Sequence, residues 1–220
     1  KGVHGVWPVP VDAVIGQIQV TLADIGADVI KTGMLGSAAL VEAIAECLAE
    51  AVSMAPRVID PVMVATSGDR LVDARAVEAI RSELVPRARL VTPNAPEAEV
   101  LTGKAVETVD GQRRAAERLL ELGAHGALVK GGHIGGTKIT DVLQTTTGEW
   151  IFESPRIVTM STHGTGCTLA SAIAAHLAQG ASVPDAVERG RDYLVGAIRS
   201  AKPLGKGHGP VNHGWVLDSD

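Results

Sequence analysis

The chain has 220 residues, 45% hydrophobic and 20% charged, with a formal net charge of −5, the balance of a globular protein large enough for a continuous apolar core. No lysine or arginine run is long enough to track a phosphate backbone, and the five aromatics (Trp7, Trp150, Trp215, Tyr193 and Phe152) are too scattered for a base-stacking platform, which argues against nucleic acid as a partner. No apolar run reaches membrane-spanning length and no signal peptide opens the chain, although "KGVHGVW" carries no initiating methionine and leaves a removed leader open.

The first helical pattern is "VDAVIGQIQVTLADIG", which spaces Val11, Val14, Ile15, Ile18 and Leu22 along one face between Pro10 and Gly26. "DVIKTGML" reads as a strand that ends in a loop. Ser37 is placed to cap "AALVEAIAECLAEA", with Leu40, Val41, Ile44 and Leu48 on one face and Cys47 as packing beside Leu48. "RVIDPVMV" is a second strand, apolar until Asp60. Asp73 caps a helix over "ARAVEAIRSEL", and "ARLVTPN" is a third strand halted by Pro93. "DGQRRAAERLLELGA" is helical and "GALVKGG" a fourth strand. "DVLQTTTGEWIFESPRIV" predicts an antiparallel pair joined at Thr147-Gly148. "STHGTGCTLASAIAAHLAQG" runs from a glycine-punctuated turn into a helix. A last helix, "SVPDAVERGRDYLVGAIRSA", has Ser182 as its cap and Pro184 in its first turn.

Strands alternating with helices predict βαβ units and a mostly parallel central sheet with helices on both faces, an α/β three-layer sandwich. No internal repeat or linker divides residues 1–220, so one domain is expected. Ligands of such sheets bind beyond the carboxyl ends of the strands. Asp60, Asn94, Glu97, Lys130 and the 161–167 turn all follow strand ends, so four separate segments deliver polar groups to one edge.

Gly164 and Gly166 allow a tight bend and close approach of the backbone to a ligand. The unpaired amides that follow them, together with the helix dipole, make an anion site. The Walker A pattern occurs nowhere. Cys167 lies where those amides converge, and a helix start is expected to lower a thiol pKa. It is either a base or nucleophile, or a small buried hydrophobe. Lys130 can reach a phosphate or sit solvated. Asp60, Asn94 and Glu97 suit oxygen-preferring Mg²⁺, while a plain helix cap and a first-turn acid account equally for Asn94 and Glu97. The seven histidines include no pair with metal-ligand spacing; His176 reads as helix surface or packing, and His163 adjoins the anion turn. "GKGHGPVNHGW" folds over a ligand or trails as a loose tail. Cys47 and Cys167 form neither a disulfide framework nor a zinc knuckle, which suits a reduced cytoplasmic compartment.

The segments "KTGML", "IDPVM", "VTPNAPEAEVLTG", "VKGGH", "THGTGCTLASAIAA" and "GKGHGPVNH", in that order, resemble the hydroxymethylpyrimidine/phosphomethylpyrimidine kinases of thiamin biosynthesis, members of the ribokinase-like superfamily. The resemblance spans essentially the whole chain. It implies a ribokinase-like fold and two successive ATP-dependent phosphorylations, of 4-amino-5-hydroxymethyl-2-methylpyrimidine and then of its monophosphate. By the same resemblance Cys167 is the base, and Gly164, Thr165 and Gly166 form the anion hole. Lys130, Asn94 and Thr162 contact ATP, Asp60 and Glu97 organise Mg²⁺, and Met34 and Val62 line the pyrimidine pocket. A cytoplasmic homodimer is implied as well. The family begins with a strand–helix unit bearing a glycine-rich substrate loop, an aspartate and a glutamine. That unit is missing here, and a longer physical protein is expected. The rival readings are a pyridoxal or pyridoxine kinase of the cysteine-bearing subgroup and a non-catalytic pyrimidine-binding module.

Overall fold

A computed structural model describes residues 5–50, 55–64 and 71–217. His4 and Ala51, the last residue of the second predicted helix, lie outside the described residues. Six strands form one sheet in the order of their sequence: β1 (Ile30–Thr32), β2 (Arg57–Ile59), β3 (Leu90–Val91), β4 (Gly126–Val129), β5 (Lys138–Thr145) and β6 (Gly148–Pro155). β1 to β4 run parallel, with Thr32 beside Ile59, Ile59 beside Val91 and Val91 beside Ala127. β5 and β6 continue the sheet antiparallel.

The connections explain the layers. Helices α1 (Val11–Asp24) and α2 (Ala38–Glu50) flank β1, α3 (Ala74–Ala79) precedes β3, and α4 (Ala95–Thr102) with α5 (Val109–Glu121) leads to β4. Helices α6 (Thr165–Ala178) and α7 (Val183–Arg199) follow the hairpin. Residues of α2 to α5 pack with Ile59, Val91, Ala127 and Val129 on one face of the sheet. On the other face, α6 and α7 pack with Leu90, Leu128 and Leu143, and Ala170 and Ala174 with Val58. The alternation of inward side chains along each strand therefore feeds two cores, which is the three-layer arrangement the pattern predicts.

The strands are shorter than their apolar runs. Pro61 and Pro93 cannot donate to a ladder, so regular pairing stops just before them. Single bonds carry the pairing slightly further: Asp60 N–H donates to Thr32 O at 3.1 Å, and Lys130 N–H to Pro93 O at 2.9 Å. The helix expected over 74–84 starts at its Asp73 cap but is not regular throughout: residues 80–84 form a π turn and 85–87 a 3₁₀ turn. Pro86 cannot continue the α-helical ladder and shapes this exit. The hairpin turn is Thr146-Thr147, one residue earlier than expected. The apolar stripe of α1 is only half covered, with no fully buried residue.

A lateral clamp holds the end of β4. Gln112, fully buried in α5, donates through Nε2 to Val129 O at 2.9 Å and to Thr140 O at 2.8 Å. Asp141 Oδ1 accepts from Gly131 N–H at 2.8 Å, and its other oxygen pairs with Arg191 of α7. Gly131 leaves no room for a side chain, since an added Cβ would lie 2.0 Å from Thr140 O. Gly131→Ala is therefore expected to lower unfolding stability by about 1–3 kcal/mol, the usual cost of overpacking. Chemical denaturation measures this, and an unchanged midpoint contradicts it.

Candidate active site

The parallel register brings the ends of β1 to β4 to one edge, and the start of α6 meets them there. Asp60, two per cent exposed at its side chain, follows β2. Its Oδ1 accepts from Lys130 Nζ at 3.2 Å and from Thr92 Oγ1 at 3.3 Å. Its Oδ2 faces Lys31 Nζ at 3.7 Å and takes no hydrogen bond among the described residues. Two ammonium groups from different strands thus flank one buried carboxylate, which offsets its desolvation.

Lys130 also links this pair to the glycine turn. A Cβ at Gly166 would lie 3.2 Å from Lys130 Nζ. The two glycines therefore serve different purposes. Gly164 has φ +81°, a left-handed conformation that turns the chain into α6, and Gly166 lets the lysine approach the helix start. Gly164 caps α6 without a side chain; its carbonyl accepts from Thr168 N–H at 2.8 Å. The amides of Thr165, Gly166 and Cys167 are the first donors of the helix, directed at the cleft that holds Lys130.

Cys167 is the third residue of α6 and remains exposed. The expectation of a lowered thiol pKa is overturned. Burial raises it first, and the negative charge of Asp60 adds to the rise; Lys31 and Lys130 oppose it without prevailing. Desolvation of the sulfur comes first, and the Asp60 carboxylate works in the same direction.

Asn94 and Glu97 turn out to form a capping box. Glu97 N–H donates to Asn94 Oδ1 at 2.9 Å, and Asn94 N–H donates to Glu97 Oε2 at 2.8 Å. The structural reading of both residues therefore holds. It does not exhaust them, because the cap uses Asn94 Oδ1 and leaves its amide donors. Burial lifts the Glu97 carboxyl above its ordinary range, with Lys130 pulling it back and Asp60 adding to the rise. Glu97 thus senses both members of the central pair.

Met34 follows β1 and Val62 follows β2, so both stand at the same edge; Met34 is exposed and Val62 half-buried. Thr162 shares a 2.9 Å hydrogen bond with His208 Nδ1. Thr168 Oγ1 lies 3.0 Å from His213 Nε2, Gly209 N–H donates to Met160 O at 2.9 Å, and His163 N–H donates to Gly209 O at 3.0 Å. The glycine-rich segment is therefore tied beside the turn rather than trailing free. His163 itself is exposed, and His176 Nδ1 is buried in α6.

Sequence reasoning missed Lys31, Thr92 and the two tail histidines as members of this cluster. Lys31 had a signal: it is the only charge in the three-residue strand "IKT". For Mg²⁺, Asp60 Oδ2 is an open acceptor and Glu97 a neighbouring carboxyl, which suits an ion that keeps most of its waters. No set of three His, Cys, Asp or Glu side chains that could hold a metal occurs among the described residues. Likewise, none of their helices is long and apolar enough to cross a membrane.

Residues 1–212 match a family model described as phosphomethylpyrimidine kinase. A hydroxymethylpyrimidine/phosphomethylpyrimidine kinase of Streptomyces coelicolor is 48% identical over 217 residues, covering 99% of this chain and 80% of the relative. Among solved structures, an ADP complex of Bacillus subtilis pyridoxal kinase superposes with a TM-score of 0.89 at 33% identity, covering 98% of this chain and 80% of that one. A phosphomethylpyrimidine kinase of Clostridium difficile superposes with a TM-score of 0.77, also at 33% identity, covering 90% and 82%.

The charge balance around the sulfur predicts its reactivity. Removing the negative charge in Asp60→Asn favours the thiolate, so alkylation of Cys167 by iodoacetamide at neutral pH is expected to quicken. Lys130→Met is expected to slow it. Mass spectrometry of the Cys167 peptide reads both rates, and a slower reaction in Asp60→Asn contradicts this electrostatic account.

Proposed function

The chain belongs to the phosphomethylpyrimidine kinase family, and on that premise we propose how its residues carry out the two phosphorylations of thiamin biosynthesis. The enzyme is a phosphotransferase that uses ATP. It acts on hydroxymethylpyrimidine and then on the resulting monophosphate. The observation that supports the residue roles is the meeting of Lys130 Nζ with Asp60 at 3.2 Å and with the close approach at Gly166.

Phosphoryl transfer asks little covalent work of a protein; positioning and charge stabilisation dominate. The amides after Gly164, those of Thr165 and Gly166 first, receive the transferring phosphoryl group. Lys130 binds the phosphates of ATP as a point charge, and Asn94 and Thr162 add polar contacts. Met34 and Val62 contact the pyrimidine. Asp60 and Glu97 would hold Mg²⁺, which would neutralise phosphate charge when bound. In the first step the substrate hydroxyl oxygen forms a bond to the γ-phosphorus, the bridging bond to the β-phosphate breaks with its electrons passing to ADP, and the hydroxyl proton goes to Cys167 in its thiolate form, the fraction of which rises with pH. In the second the attacking oxygen belongs to an anionic phosphate, which needs no base.

Residues 1–220 act as one kinase domain in this reading. The two cysteines, Cys47 buried and Cys167 exposed, suit a cytoplasmic setting. The homodimer rests on the family resemblance. A pyridoxal kinase is the second reading, favoured by the higher TM-score of that structure. Sequence identity of 48% against 33% favours the pyrimidine. Rates with pyridoxal and hydroxymethylpyrimidine measured side by side decide the matter, and a preference for pyridoxal rejects the pyrimidine assignment.

Two outcomes follow for the residue roles. Cys167→Ala is expected to slow the first phosphorylation by about 10²–10⁴-fold, the range for a lost general base, and the second far less. In the wild type the first step should rise with pH to an inflection above the ordinary thiol value of about 8.5, because the thiol pKa is raised. Equal losses in both single-turnover reactions contradict the base role. Lys130→Ala is expected to raise KM for ATP and lower kcat; unchanged values reject its assignment.

A further inference from the structure

The two reactions differ at one point of charge. The first nucleophile is a neutral hydroxyl, and the second is a phosphate monoester. A cleft that accepts the second substrate must counter an additional phosphate beside the γ-phosphate of ATP. Lys130, hydrogen-bonded to Asp60 Oδ1 and next to Gly166, belongs to the end where the γ-phosphate meets the helix amides.

Lys31 stands on the other side of Asp60. Its Nζ is 3.7 Å from Oδ2, beyond hydrogen-bond distance, and its side chain is 19% exposed. The ammonium makes no hydrogen bond to the described residues, so its donors are available at the cleft. Gly33 gives it space, since a Cβ there would come within 3.0 Å of Nζ. Met34, proposed to touch the pyrimidine, is the next residue. The charge of Lys31 also acts on the Cys167 thiol, so this ammonium and the sulfur belong to the same cluster. Lys31 and Lys130 thus stand on the two oxygens of Asp60, Oδ2 and Oδ1, with Met34 close to the first in sequence and Gly166 beside the second.

We propose that Lys31 binds the phosphate of the monophosphate substrate and is the residue that makes the second phosphorylation possible. This rests on the kinase reading above. In that step a phosphate oxygen of the substrate bonds to the γ-phosphorus of ATP, and the bridging bond breaks toward ADP. Lys31 takes no proton in it; the ammonium holds the attacking phosphate in line and offsets its repulsion from the γ-phosphate. The 3.7 Å pairing has no hydrogen bond to break when the lysine turns to the substrate phosphate, and Lys130 and Thr92 stay hydrogen-bonded to Asp60 Oδ1.

The test compares the wild type with Lys31→Met and Lys31→Arg on both substrates, at saturating ATP. In Lys31→Met, kcat/KM for the monophosphate is expected to fall about 10–150-fold, the scale of a lost charge-assisted contact, and that for hydroxymethylpyrimidine several-fold less. Lys31→Arg should recover much of the second activity. Calorimetry without ATP provides a readout independent of turnover: the wild type should bind the monophosphate more tightly than the unphosphorylated pyrimidine, and Lys31→Met should lose that preference. Equal losses on both substrates, or a preference that survives in Lys31→Met, overturn the proposal. A wild type that phosphorylates neither substrate overturns the kinase reading instead.

Discussion

A carboxylate set almost entirely inside a protein is tolerable only with partners around it, and the site is organised by that requirement. Asp60 draws Lys130 from the end of β4 and Lys31 from β1, with the hydroxyl of Thr92 above β3. Each partner reaches it because the parallel register stacks their strand ends side by side. Removing either cation leaves buried charge less compensated, and removing Asp60 leaves two ammonium groups facing one another. The same pairing stores positive charge at an edge where amides of α6 already favour anions. A structural necessity of the fold and the chemistry of phosphate thus share the same atoms.

The capping box of Asn94 and Glu97 teaches a related lesson. From the chain alone, a helix cap and a ligand-binding pair were equal explanations. The structure shows the first, as a reciprocal capping box. Reciprocal bonds fix both side chains at the start of α4, so Asn94 presents its amide and Glu97 its remaining oxygen with little freedom left to lose. Rigid elements position polar groups better than loops do, and a short helix with two caps is such an element.

Much of the architecture was legible because periodicity and strand-end rules are local. The helices α2, α5, α6 and α7 lie where their apolar spacing and caps put them, and the four polar segments converge as the sheet rule requires. The helix after Asp73 was misread in its second half because π and 3₁₀ turns keep nearly helical spacing. The thiol was misread for a different reason. Its helix start is written in neighbouring residues, whereas the opposing carboxylate lies more than a hundred positions away in the chain. Lys31 escaped notice on the same account: nothing in "IKT" says which residue a lysine will face across a sheet. The tail segment likewise gained its partners, Thr162 and Thr168, only through folding.

The amide of Gln112 has a mechanical consequence. It bridges Val129 and Thr140 just where the regular pairing of β4 with β5 gives out, one residue before Lys130. The lysine therefore sits on a strand end braced from the opposite layer, like a lever whose pivot is bolted to the wall behind it. A shift of α5 travels through that brace to the ammonium without any loop having to move, and rigidity at the rear of the molecule sets the aim of the charge at its front.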